Sequence, residues 1–325
     1  MINNEWYDVF LEMLYKKYPK KNQLTEALTD LLCLEREAVY RRLRQDVLFP
    51  VNEVVKIASA WNISLDETIG LTSQKVSFQM HPVNYIAPSE EDVDFLQKKV
   101  QVLTQITDYQ GTGYVVVCNH LSRSLIAGFA NLYKFHVFKW AYEYYNNGNA
   151  NEKSSTTLSD IVIPENVLSQ INLYKDHIKY VKTTTYILDN MIFDSYVRDI
   201  KFFHSIFLLN DEEKKILKNE LYALLDYLLE VANNGCFPET KNEVNMYISM
   251  LHINTNYSYL YTKNSEACRI HTFNMYDVTS YNQEMIVNFK AWLQKKKGTS
   301  VKISEADEKS RVEFFMKQRL LVDSL

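Results

Sequence analysis

Apolar residues recur at helical spacing in five short blocks at the start of the chain. Trp6, Val9, Phe10, Met13 and Leu14 share one stripe, and Pro19 ends that helix because proline cannot continue a helix interior. Asn22 is placed to cap a second helix carrying Leu24, Leu28, Leu31 and Leu32. A turn at Cys33-Leu34 leads into a third helix from Glu35 to Arg44. A fourth starts after Pro50, which suits the first helical position, and buries Val54, Val55, Ile57, Ala58 and Trp61. Ser64 caps a fifth through Asp66 and Glu67, which Gly70 closes.

Residues 71–90 hold Pro82 and Pro88 without a helical period, so the pattern divides the chain into 1–72, a linker or extended arm over 73–89, and 90–325. Ser89 caps the next helix, whose first turn carries Glu90, Glu91 and Asp92. After Gly111 and Gly113, Tyr114 to Cys118 is a strand candidate. Residues 122–146 read as helix, with Phe129, Tyr133, Val137, Trp140 and Tyr144 on one stripe, and 147–159 as a polar loop. Residues 185–209 and 211–232 read as a helical pair separated by Asn210, which caps the second helix while Glu213 reaches back; Asn233-Asn234-Gly235 stops it. Strands near 244–253 and 266–275, rich in β-formers, join 114–118 in a small antiparallel sheet. Helices around 282–296 and 305–320 follow, the latter opened by a Ser304-x-x-Asp307 box. The fold class expected is mainly α: an N-terminal five-helix domain, then an α-rich α+β domain with that small sheet.

Composition narrows the classes. A length of 325 residues with 46% apolar and 23% charged residues is ordinary for a globular chain of a few domains. Seven Gly and six Pro are too few for the many turns of a barrel or sandwich. The first residues lack the pattern of a signal peptide. The longest apolar-rich stretch, Tyr186 to Leu209, carries Asp189, Asp194, Arg198, Asp199, Lys201 and His204, a charge density that excludes a membrane span. Cys33, Cys118, Cys236 and Cys268 are scattered, which suits a reducing cytoplasm. A net charge of −4 argues against nucleic-acid binding over the whole surface. Between Lys16 and Lys56, however, nine basic residues face six acidic ones, a modest patch that suits one small reading surface doubled by dimerisation.

Residues 5–70 resemble the lambda-repressor-like (Cro/C1-type) helix-turn-helix family. Leu28-Thr29 stand at the family's apolar-small pair, Cys33 at the turn, Leu34 at the apolar residue after it and Val39 at the buried aliphatic of the recognition helix. Phe49-Pro50, Val54, Ile57-Ala58 and Ile63-Ser64-Leu65-Asp66-Glu67-x-Ile69-Gly70 are similar to its closing helices. Thr29 replaces the common alanine, Cys33 the common glycine, and Leu43 comes one residue late. The resemblance implies that the start of the third helix enters the major groove of double-stranded DNA. By position, Arg36, Glu37 and Arg41 are then candidate base readers, and Arg42, Arg44, Tyr40, Lys20 and Lys21 candidate phosphate contacts. The spacing agrees independently: Ala38, Val39 and Leu43 can face the scaffold, which turns Arg36, Glu37, Arg41 and Arg44 to solvent.

Other patterns carry weaker signals. Asn119-His120-x-Ser122 is similar to the Asn-His-x-Ser-x-x-Asp box of glycerolipid acyltransferases, but Leu125 occupies the aspartate position, and a capped helix start is the better reading. Gly111-Thr-Gly113 reads as a turn. Cys268-x-x-His271 with His252 has metal-ligand residue types, yet positions 268 and 271 of a strand point to opposite faces. Asp189, Asp194 and Asp199, spaced by five on the expected helix, scatter around it as solvent contacts. The aromatic stretches at 129–145 and 186–209 read as core, or as a dimer interface or apolar effector pocket. The expectation is a dimeric, sequence-specific, DNA-binding transcriptional regulator of bacterial style. Its C-terminal domain dimerises and offers room for a small-molecule or protein effector, with no catalytic residue, cofactor, metal or membrane partner. The alternatives are an adaptor that binds protein through the N-terminal module, and an enzyme with an unrecognised site in the C-terminal domain.

Overall fold

The computed structural model describes residues 5–61, 63, 65, 76, 78–107, 111–144, 156–263, 265–272 and 276–325. The chain forms two compact units, Met1–Val76 and Ser77–Leu325.

The first unit contains α1 (Glu5–Lys17), α2 (Lys21–Leu32), α3 (Arg36–Leu43) and α4 (Val51–Trp61). Tyr7, Phe10, Leu11 and Leu14 of α1 pack against Leu24, Leu28, Val39, Leu43, Val54, Ile57 and Trp61. The Tyr7 hydroxyl ties distant segments together: it donates to the Arg42 carbonyl and accepts from the Phe49 amide, both at 3.1 Å. Two expectations change. Lys20, not Asn22, holds the capping position of α2, with no side-chain bond to the helix, and Val55 is half exposed on α4. The expected fifth helix lies almost wholly outside the described residues.

The second unit is not a small antiparallel sheet beside helices. It is an α/β unit with an eight-stranded mixed sheet, ordered β1 (Gln79–Met80), β7 (Tyr276–Ser280), β6 (Glu266–Thr272), β5 (Tyr257–Tyr261), β2 (Gly113–Cys118), β3 (Thr183–Asp189), β4 (Glu243–Ser249) and β8 (Ser300–Lys302). β2, β3 and β4 are parallel neighbours, with Val116 beside Tyr186 and Tyr186 beside Met246. All other pairs are antiparallel. The overturning element is β3: residues 183–189, partly read as the start of a long helix, are an interior strand, flanked by β2 and β4. Parallel strands need long crossovers, and helices supply them. α5 (Glu90–Thr107) precedes β2. α6 (Arg123–Ile126), α7 (Ala130–Tyr144) and α8 (Glu165–Ile178) connect β2 to β3; α9 (Asp194–Ser205) and α10 (Asp211–Asn234) connect β3 to β4. The expected helix over 122–146 is thus two, interrupted at residues 127–129. α11 (Gln283–Gly298) runs between β7 and β8, and α12 (Glu308–Asp323) ends the chain.

Alternation along β2 distributes its side chains. Tyr114, Val116 and Cys118 enter the core built with α5–α10 and α12, while Val115 and Val117 pack with Ile187, Tyr259 and Cys268 against Ile286, Phe289 and Leu293 of α11. Both sheet faces are therefore covered. Gly113 opens β2 opposite Tyr261, where a Cβ would come within 2.1 Å of the Tyr261 ring; close approach, not a turn, explains this glycine. Val83 and Tyr85, from the span read as linker, are buried in this same core.

Candidate functional site

Two surfaces carry candidate chemistry, one in each unit. In the first, Cys33 ends α2 in the left-handed region (φ 56°, ψ 43°), and its amide bonds the Thr29 carbonyl. This turn, followed by Leu34 and Glu35, aims α3 with Val39 and Leu43 buried beneath it. Arg36, Glu37 and Arg41 are exposed, as are Lys20 and Lys21. The Lys21 ammonium lies 5.5 Å from the centre of the Tyr40 ring. Arg44 is exposed and pairs with Glu37 at 3.1 Å and Asp46 at 3.2 Å.

Arg42 is different. Its guanidinium clasps Glu53 of α4 through two bonds of 2.6 and 2.9 Å and donates to the Ala38 carbonyl. Its side chain is only 15% exposed, so it fastens α3 to α4 and is not presented for a phosphate.

In the second unit, a cavity of about 70 Å³ is lined by charged side chains from separate elements. Lys99 comes from α5, Arg123 from α6, Arg269 and His271 from β6, and Asp277 from β7. His271 and Asp277 sit directly opposite each other in the β6–β7 register, with Nδ1 2.9 Å from Oδ1. Arg123 donates to Asp277 Oδ2 at 2.5 Å and to the Tyr85 hydroxyl at 3.0 Å; the Lys99 ammonium lies 3.6 Å from that same Oδ2. Burial works to raise the Asp277 carboxyl, but Arg123, His271 and Lys99 outweigh it and hold it well below the usual carboxylate range. Burial pushes Lys99 down to about 7; Asp277 opposes the shift, and Arg123 and Arg269 add to it. Burial likewise raises the Tyr114 and Tyr133 hydroxyls far above their ordinary range, so they stay neutral. Sequence reading missed this cluster. Its one local signal is Arg269 and His271 at spacing two on a strand, which places both on the same face.

The other sequence motifs fall elsewhere. His120 follows β2 and is locked: Nδ1 sits 2.5 Å from Asn119 Oδ1, and Nε2 faces the Asn256 amide at 3.1 Å. Asn256, fully buried, also accepts from the Asn119 amide at 2.8 Å. Burial, then Lys139 and His271, push His120 down to about 3. Its role is to join the end of β2 to the start of β5. The expected cap does not form, because Ser122 bonds Ser124 and makes no side-chain capping bond to α6. Cys268 is sealed on the α11 side while His271 lines the cavity on the other. His252 instead pairs with Asp189 at 3.2 Å.

The three aspartates are not equivalent solvent contacts. Asp189 ends β3 and, nearly buried, accepts from the Ile253 amide; Asp194 pairs with Arg198, and Asp199 with Lys139. Among the described residues, no group of three or more His, Cys, Asp or Glu could hold a metal ion, and no helix is long and apolar enough to cross a membrane. Comparison with family models, curated proteins and solved structures gives no match.

Proposed function

We propose that the chain is a sequence-specific DNA-binding transcriptional regulator of the lambda-repressor-like type, acting as a homodimer in the cytoplasm. The observation that carries this reading is the exposure of Arg36, Glu37 and Arg41 on a short helix whose opposite side is buried and whose entry is set by a left-handed turn. Arginine can bridge guanine O6 and N7, and glutamate can accept from cytosine N4. Tyr40, Arg44, Lys20 and Lys21 flank these groups and contact phosphates. One copy offers few contacts, so a second copy on a second half-site supplies the remaining affinity. The second unit dimerises and receives the signal.

Selection of bound sequences from a random duplex pool tests the reading. A consensus with two half-sites is expected, and Arg36→Ala and Arg41→Ala each relax it at the contacted base by about 1–3 kcal/mol. A pool that stays random after selection by folded protein overturns the proposal. An adaptor that binds protein through this module would not depend on these two side chains for its partner.

A further inference from the structure

We propose that the cavity between α5, α6, α8 and the β6–β7 hairpin binds a phosphate-type dianion, either inorganic phosphate or the head group of a small organic phosphate. The charge balance points there. Lys99, Arg123 and Arg269 face the cavity, and Asp277 is the single carboxylate among its lining residues. Asp277 Oδ2 is engaged by Arg123, while Oδ1 lies 2.9 Å from His271 Nδ1 without a well-aligned hydrogen bond. Arg269 Nε is buried without a hydrogen-bond partner, and an unsatisfied buried donor of a charged group is costly unless something else completes it. With Lys99 protonated, two positive charges remain in excess, which a dianion neutralises and a carboxylate halves.

Geometry favours the same ligand. Guanidinium groups from α6 and β6 and an ammonium from α5 line one cavity from three separate elements, which suits an oxyanion with several acceptor oxygens. The Tyr133 and Tyr174 hydroxyls and Ser258 complete the wall. A space of about 70 Å³ accommodates such a group and excludes a macromolecule.

The depressed Lys99 gives binding a pH signature. Lys99 shares the cavity with Asp277 on β7, Arg123 on α6, Arg269 and His271 on β6, Tyr85 ahead of α5, Tyr114 on β2, Tyr133 on α7, and Gln170, Ile171 and Tyr174 on α8. A bound dianion favours its protonated form, so binding takes up a proton, and affinity for a ligand of constant charge falls as pH rises above about 7.

Calorimetric titration of the full chain without DNA tests the site separately from the DNA reading. Inorganic phosphate binds saturably at one site per chain, and acetate at matched ionic strength binds about tenfold more weakly or not at all. Phenyl phosphate binding tighter than inorganic phosphate assigns an organic ester; equal binding assigns the free ion. Sulfate, whose charge is constant, weakens between about pH 7 and pH 9. Arg269→Met loses about tenfold or more in phosphate affinity yet melts like the unliganded parent, and Lys99→Met also weakens binding; Arg319→Met, remote on α12, changes nothing. The proposal is overturned by absent phosphate saturation, by acetate binding as well as phosphate, or by Arg269→Met binding like the parent. Failure of Arg269→Met to fold would assign Arg269 a structural role and overturn it equally.

Discussion

Lys99 ties stability to pH in a defined direction. Its folded value of about 7 lies below the roughly 10.4 of an unfolded lysine. Between those values the unfolded chain holds a proton that the folded chain has released, so stability from this group rises with pH across that window. Melting followed from about pH 7 to pH 9.5 should show a rise that Lys99→Met lacks. His120, held at about 3, works in the acid range. Folding excludes its proton, so its stabilisation is present above about 6.5 and is lost as pH falls towards 3. Nitrogen-detected NMR should find a neutral Nδ1–H tautomer that does not titrate between about pH 8 and pH 5. Cys33 is exposed and left-handed, a conformation that costs an L-residue roughly 1–2 kcal/mol. Cys33→Gly should therefore raise the denaturation midpoint of the first unit, part of the gain being offset by glycine's greater unfolded freedom. The outward side of α3 was legible because period 3.6 separates Arg36, Glu37 and Arg41 from Val39 and Leu43. The burial of Arg42 was not, because its partner Glu53 stands eleven residues away on another helix.

Helix ends were read most faithfully where chemistry within one turn settles them. Asn210 and Glu213 make both bonds of the capping box that opens α10, and Gly235 closes it at φ 62°. Asn210→Ala should cost about 1 kcal/mol by chemical denaturation. Gly235→Ala should cost about 1–2 kcal/mol through the left-handed backbone, since the exposed Glu305 side chain that an added Cβ would meet can swing aside. Near α12 the local rule selected the wrong residue: Asp307 accepts from the Ser310 amide, whereas Ser304 is buried and bonds the Met246 amide of β4. β3 failed for a related reason. A central strand covered on both faces does not alternate, and Thr183 to Asp189 is buried at nearly every position. Tyr186, Ile187 and Leu188 then merge by spacing with the apolar stripe of α9, so two elements read as one long helix. The β-branched run Thr183-Thr184-Thr185 was the available contrary signal.

Each of the two units has its own apolar core, and among the described residues every strand belongs to the second. Residues 77–325 expressed alone should therefore give a mixed α/β circular dichroism spectrum and melt cooperatively; a non-cooperative melt would count against their independence. The chain's local patterns were enough to establish the four described helices of the first unit, their turn, the exposed arginines and the capping box, since each depends on neighbours within a turn or two. The mixed sheet and the charged cavity arise only in tertiary structure. β2 takes β3 on one side and β5 on the other, and Arg123 meets Asp277 across 154 positions of chain. Periodicity marks which face of an element is apolar. What covers that face, and which distant charges are gathered behind it, follows from the packing of whole elements.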